Sequence, residues 1–361
     1  MPLGPLMLDV AGTALTADDR QRLLHPLVGG VILFARNYES PAQVAELTRA
    51  IHALRSPPLL IAVDHEGGRV QRFRAGFTAL PPMRAIGALW DTQPQTARRL
   101  ARDAGYVLAA ELRTVGVDFS FAPVLDLDYG TSGVIGDRAL HRHPQAVAEL
   151  AHALMLGMAE AGMSAVGKHF PGHGFVAADS HTDVPVDARD LADLEFADLI
   201  PFRQLIDLGL AGIMPAHVIY PRVDDQPAGF SRRWLHNLLR GRYGFEGAIF
   251  SDDLAMEGAS VAGDVVTRAQ AALAAGCDMA LLCNRPDLAD TLLTRLAWQP
   301  HAVSLIRLAR MHGRPHPPDR TTLHESGRYV QAVHRLAGLG QADADLALDD
   351  PTDYLGKRGT T

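Results

Sequence analysis

Short apolar runs alternate along this chain with longer stretches whose apolar residues recur every three to four positions. The runs are Pro5–Val10, Gly30–Phe34, Leu59–Val63, Asp118–Phe121, Ser164–Val166, Gly212–Met214, Ala248–Phe250 and Met279–Leu282. They are apolar on successive positions, the pattern of strands buried on both faces. Between them, Pro41–Leu54, Thr96–Val115, Gln145–Ala161, Ala192–Leu208, Arg232–Arg242 and Val265–Ala275 read as helices. Gly116, Gly162, Gly209 and Gly276 follow four of these segments, where a helix C-cap takes glycine. Eight strands separated by helices predict a parallel sheet, and the number eight predicts a closed (β/α)8 barrel.

Polar residues sharpen that prediction. Asp9, Asp64, Asp126, Lys168, His217, Asp252 and Asn284 each fall at or just past the C-terminal end of a predicted strand. Barrel enzymes build their sites on that face. An open doubly wound sheet has one crevice and needs no polar residue after nearly every strand. No glycine-rich dinucleotide fingerprint follows a strand, and there is no P-loop. The expected organisation is one barrel domain over residues 1–312. Residues 313–361 then form an appendage: a proline-containing turn over Gly313–Asp319, an amphipathic helix over Thr321–Leu339, and an acidic, partly disordered tail from Gln341.

Composition removes several classes of function. The chain has 361 residues, 47% of them hydrophobic, and a formal charge of −7. That charge argues against nucleic acid or an anionic membrane as partner. No apolar run reaches the ~18 residues of a membrane helix. The first basic residue is Arg20, so no secretory n-region is expected. Cys277 and Cys283 both lie in apolar sequence, which suits a reducing cytoplasm.

Candidate chemistry concentrates in Lys168-His169-Phe170-Pro171-Gly172-His173-Gly174, followed by Asp179-Ser180-His181. Such a density of ionisable groups in a loop is an unlikely way to build a core. Asp179 and His181 are two positions apart, so the carboxylate can orient the imidazole for proton transfer. A second constellation is Ser251-Asp252-Asp253, where a strand runs into two carboxylates. Alternation of side chains aims Asp252 at the catalytic face and Asp253 away from it. A third is Asp64-His65-Glu66-Gly67-Gly68-Arg69-Val70-Gln71-Arg72, a strand end, a glycine pair for a tight turn, and two arginines. Asp and Arg in such a place suit the hydroxyls of a sugar or another polyol, and Arg also suits a carboxylate or phosphate.

Plainer readings stand beside these. Asp252 or Asp253 can cap the next helix. Asp64 and Arg72 can form an internal ion pair. His173 can brace its loop, and His217 can be a core histidine satisfied by hydrogen bonds. His169, His173, Asp179, His181 and His217 also include enough donors for a metal. Against a metal site, no His-x-x-x-His, His-x-Glu or Cys-x-x-Cys pattern is present, and Lys168 puts a positive charge beside His169.

Together these segments resemble the bacterial β-N-acetylhexosaminidases of glycoside hydrolase family 3. The resemblance rests on Lys-His-Phe-Pro-Gly-His-Gly-x4-Asp-Ser-His and Ser-Asp-Asp-Leu-x-Met-Glu-Gly-Ala. Val-Asp-His-Glu-Gly-Gly-Arg-Val-Gln-Arg and Ile135-Gly136-Asp137-Arg138 add to it. It runs in order from about residue 5 to 300 and looks like the single-domain Gram-negative form. It implies that Asp252 is a nucleophile, His181 the proton donor and acceptor, and Asp179 its partner. It implies that Asp64, Arg72, Arg138, Lys168 and His169 hold an N-acetylglucosamine in the −1 subsite. It further implies a retaining mechanism without metal or cofactor. The implied substrates are N-acetylglucosaminyl-1,6-anhydro-N-acetylmuramic acid and its peptide forms, cleaved in the cytoplasm during cell-wall recycling. The expected assembly is a monomer. A phosphorylase on the same fold and a metal-dependent hydrolase built on the histidines remain as alternatives. The glycine-containing loop is also expected to move, so that His181 stands far from Asp252 in the empty site.

Overall fold

The computed structural model describes residues 2–178, 180, 183–299 and 301–339. Eight strands close into a barrel in strict chain order: β1 Leu6–Leu8, β2 Val28–Leu33, β3 Leu60–Val63, β4 Phe119–Ser120, β5 Ser164–Phe170, β6 Gly212–Pro215, β7 Ala248–Asp253 and β8 Met279–Leu282. Every neighbouring pair is parallel, and β1 closes onto β8 through Leu6 opposite Ala280. The predicted (β/α)8 fold is the observed one.

The continuous apolar runs are explained by burial on both faces. Phe119 on β4 and Phe250 on β7 are not on adjacent strands, yet their ring centroids are 5.1 Å apart. They meet through the barrel interior, with Phe121 against both at 5.3 and 5.6 Å. The interior is therefore a packed core that supports the face above it. Alternation from Phe250 then carries Asp252 onto the inward side at the strand end.

The four helix-ending glycines sit at φ values of 80°, 82°, 86° and 128°. Two helices expected to be continuous are broken. Ala192–Leu208 is two helices, Leu191–Phe196 and Leu199–Asp207. At the break, buried Asp198 takes hydrogen bonds from Arg189 and Tyr129 at 2.7 and 2.8 Å. Thr321–Leu339 is also two, Arg320–Glu325 and Gly327–Leu336, separated at Ser326 in extended conformation. The second docks on the helix Pro94–Thr114, where Arg328 and Arg335 both reach buried Asp103 at 2.6 Å. The acidic tail from Gln341 lies outside the described residues. No described helix is long and apolar enough to cross a membrane.

Candidate active site

Two strands run further than their apolar pattern indicates, and both extensions carry candidate residues. β5 continues past Val166 through Lys168, His169 and Phe170, and β7 continues past Phe250 through Asp252 and Asp253. Polar side chains stay in a buried strand only when they are paired. Those of β5 are paired across the barrel mouth.

Lys168 Nζ donates to Asp64 Oδ1 at 2.6 Å and lies 2.7 Å from Glu66 Oε1. Arg138 holds the same Glu66 with both prongs of its guanidinium, at 2.9 and 2.8 Å. Arg72 stands 3.9 Å from Asp64 Oδ2. Asp64, Arg72, Arg138 and Lys168 thus form one network, brought together from β3, the loop after β4, and β5. The ion-pair reading of Asp64 and Arg72 and the binding reading describe the same geometry. Burial opposes the charge on Glu66, but Arg138 and Lys168 outweigh it and hold its carboxyl well below the usual range. Burial opposes the Lys168 charge as well, and Asp64 and Glu66 overcome it, keeping the amine cationic.

The turn after β3 is built as the glycine pair predicts. His65–Gly67 pairs antiparallel with Val70–Gln71, and Gly67 and Gly68 have φ of 112° and 58°. The two arginines that follow are put to different uses. Arg72 faces Asp64, whereas Arg69 binds Asp137 at 3.2 Å and the Gly133 carbonyl at 3.0 Å, bracing the loop that carries Arg138.

A second group gathers on Asp126, which is fully buried at the mouth of the barrel. Its Oδ2 is 2.7 Å from His169 Nδ1, and its Oδ1 accepts the His169 and His173 backbone N–H groups at 3.3 and 2.7 Å. Burial opposes the Asp126 charge, but His169 wins and lowers its pKa. A carboxylate on Nδ1 directs His169 Nε2 outward. Asp126 and Glu66 are the site residues that sequence reasoning passed over. Neither is silent in the sequence: Asp126 falls a few residues past a predicted strand, and Glu66 lies within the Asp64–Arg72 segment. The missing signal was charge balance, because two buried cations need more than Asp64 to pair with.

Asp252 and Asp253 diverge as alternation requires. Asp252 is half-buried, and its Oδ1 accepts the Asp253 N–H at 2.8 Å. Asp253 turns toward β8, accepting the N–H groups of Ala255 and Cys283 at 2.9 and 3.0 Å. Burial pushes the Asp253 carboxyl from an ordinary 3.8 up to about 7, with the Asp252 charge adding to the rise. A neutral Asp253 spares Asp252 a second anion beside it. His217 is fully buried, stacks on Phe230 with centroids 5.1 Å apart, and lies 3.1 Å from the Asp253 carbonyl through Nε2. Burial lowers its pKa, so it is a neutral histidine beneath the end of β7. Asp179 and His181 lie outside the described residues, as does the expected separation of His181 from Asp252.

The raised Asp253 pKa has a measurable consequence. Folded protein keeps a proton that the unfolded chain loses near pH 4. The stability contributed by this group is complete below that pH and declines as pH rises toward 7. A carboxyl moved from 3.8 to about 7 accounts for about 4 kcal/mol across that range. Asp253→Asn should therefore flatten the fall in melting temperature between pH 5 and 8. Equal slopes in both proteins would refute a protonated Asp253.

The family model described as the glycosyl hydrolase family 3 N terminal domain matches residues 6–299. A beta-hexosaminidase from Thiobacillus denitrificans is 66% identical, covering 99% of this chain and 100% of its own. NagZ from Neisseria gonorrhoeae, solved in complex with N-trifluoroacetyl-D-glucosamine, is 49% identical with a TM-score of 0.90. That match covers 94% of this chain and 98% of the other. A family 3 β-N-acetylglucosaminidase from Paenibacillus sp. str. FPU-7 is 32% identical with a TM-score of 0.82, covering 92% of this chain but 66% of its own.

Proposed function

The chain belongs to glycosyl hydrolase family 3 and is a glycoside hydrolase, a β-N-acetylhexosaminidase; from that premise we propose how its site works and on what. The enzyme removes terminal non-reducing N-acetylglucosamine with retention of configuration, through a covalent sugar–Asp252 intermediate. Asp64, Arg72, Arg138, Lys168 and His169 hold the sugar hydroxyls. The observation that carries this reading is the paired, buried network at Lys168. Lys168 and Arg138 are paired there by Asp64 and Glu66, with Arg72 as one further cation beside Asp64, a set of charged hydrogen-bonding groups that suits a polyhydroxylated ligand. The N-trifluoroacetyl-glucosamine bound by the Neisseria relative supports the same sugar here.

His181 gives a proton to the departing oxygen and then takes one from water, with Asp179 as its partner. Most retaining glycosidases use two carboxyl groups about 5–5.5 Å apart for these tasks. An imidazole begins with a pKa of about 6.5, near the working pH, whereas a Glu must be raised to act as an acid. Asp179 fixes the tautomer and stabilises the imidazolium, as a triad carboxylate does. A histidine also keeps a second anion away from Asp252.

The substrates are N-acetylglucosaminyl-1,6-anhydro-N-acetylmuramic acid and its peptide forms, met in the cytoplasm during cell-wall recycling and cleaved by a monomer without metal or cofactor. Purified muropeptides should yield free N-acetylglucosamine and intact anhydro-muramyl products by mass spectrometry. The rate should not change when phosphate is added or metal is chelated. Appearance of N-acetylglucosamine 1-phosphate would convert the reading to a phosphorylase. Loss of activity on chelation would convert it to a metal-dependent hydrolase.

A further inference from the structure

The strand that carries Asp252 loses its regular pairing just before that residue. On one side, the pairing of β7 with β6 ends at Ile249 opposite Ile213. On the other, Phe250 stands opposite Met279 and Asp253 opposite Leu281, so β7 takes one residue more than β8 over the same span. A regular parallel ladder would put Asp252 opposite Leu281. The extra residue makes a β-bulge, which is rare in a parallel pair and re-aims side chains beside active sites. Side chains bridge it. The fully buried Ser251 hydroxyl accepts the Leu281 N–H at 2.9 Å and donates to the Asp252 carbonyl at 2.8 Å. Asp253 Oδ1 accepts the Cys283 and Ala255 N–H groups at 3.0 and 2.9 Å. From the β6 side, His217 Nε2 reaches the Asp253 carbonyl at 3.1 Å. That ring is closely held. It stacks on Phe230, and a Cβ at Gly258 would stand 3.0 Å from its own Cβ. Its Nδ1 is buried with no hydrogen-bond partner among the described residues.

We propose that Ser251, Asp253 and His217 are positioning residues for Asp252: they hold the bulge at the end of β7 in the shape that turns the Asp252 carboxylate to the sugar. The proposal rests on the reading of Asp252 as nucleophile. Ser251 and Asp253 supply from their side chains the acceptors that a regular ladder takes from backbone carbonyls. His217 can meet a carbonyl only as a donor, so its Nε2 carries the proton. An apolar side chain would fill the same space without leaving a ring nitrogen unpaired. What the histidine adds is direction, since a hydrogen bond has a preferred distance and angle. Direction matters here because attack on the anomeric carbon needs the carboxylate placed in line with the departing oxygen. A misplacement of about 1 Å costs on the order of a hundredfold. Each residue of Ser251-Asp252-Asp253 then has a use: the middle one reacts, and its two neighbours aim it.

The test measures kcat/KM on the dinitrophenyl N-acetylglucosaminide, whose leaving group needs little acid assistance, so that the rate reports the attack of the nucleophile. Inhibition by N-acetylglucosamine is measured beside it and reports the sugar site alone. Ser251→Ala should lower kcat/KM about tenfold, the scale of one lost hydrogen bond, and change the inhibition constant less than about twofold. Asp253→Ala should lose more, because it removes the acceptor of two N–H groups. Asp253→Asn keeps an oxygen for both and should recover most of that loss. If an alanine variant fails to fold, His217→Leu decides, since it fills the core and lacks only the donor. It too should lower kcat/KM about tenfold at an unchanged inhibition constant. Folded variants with kcat/KM within about twofold of the parent would overturn the positioning role. So would an inhibition constant that rises by the factor lost in kcat/KM, because the change would then lie in the sugar site. Either result leaves Asp252 as the nucleophile. Activity retained in Asp252→Ala would instead overturn the nucleophile reading, and the positioning role with it.

Discussion

Asp252→Ala should lose on the order of 10⁴-fold or more in kcat while remaining folded. Asp252 is half-buried at the end of β7, where its Oδ1 accepts the neighbouring Asp253 N–H. Losing that acceptor costs about 1 kcal/mol, since the site is open to water. The catalytic loss has a different origin. A retaining route needs a carboxylate to replace the leaving group, and no other described residue at the end of β7 can do so. Asp253 faces β8 and keeps its proton to about pH 7. A small anion such as azide fits the space vacated by the carboxylate. It should restore turnover of activated substrates and give a glycosyl azide of opposite anomeric configuration to the substrate. Activity within about tenfold of the parent would exclude Asp252 as nucleophile. Activity lost but not restored by azide, with the melting temperature unchanged, would leave the covalent route unsupported.

The contrast between Asp252 and Asp253 was legible in the sequence, because strand alternation is a local rule. So were the eight strands, since a parallel barrel buries both faces and leaves continuous apolar runs. The extensions of β5 and β7 were not legible. Lys168 interrupts its apolar run, and the partners that admit it to a buried strand are 104 and 102 positions away at Asp64 and Glu66. The two split helices were hidden for a related reason: Asp198 reads as a helix residue until Arg189 and Tyr129 claim its carboxylate. Motif density can also mislead. His65 lies inside a signature segment between Asp64 and Glu66, yet it is fully buried against Phe73 and Phe77 at 6.0 and 5.8 Å. Burial lowers its pKa to about 3, as for a neutral core side chain.

Glu66→Ala should be the most damaging change at a residue that touches no reacting atom. Glu66 is 3% exposed and joins Lys168 to Arg138. Removing it leaves two cations facing each other with Asp64 alone to serve both. Breaking a buried ion pair from one side costs about 3–5 kcal/mol, because the remaining charge has lost water and partner alike. The same loss frees Arg138 from its bidentate hold and leaves Lys168 held by Asp64 without its second carboxylate. A displacement of about 1 Å at a sugar-positioning group costs on the order of a hundredfold in kcat/KM. Glu66→Gln keeps the shape and one acceptor, so it should fall between the two. Its pH dependence gives a separate check. The Glu66 pKa is depressed in the folded protein, so its stabilisation is present above the ordinary carboxylate range and is lost as pH falls below it. The stability gap between parent and Glu66→Gln should therefore be widest near neutral pH and narrow in acid. A Glu66→Ala protein with parental stability and unaltered kcat/KM would show that Lys168 and Arg138 hold their places without it, and that the network at the mouth of the barrel is not the frame of the sugar site.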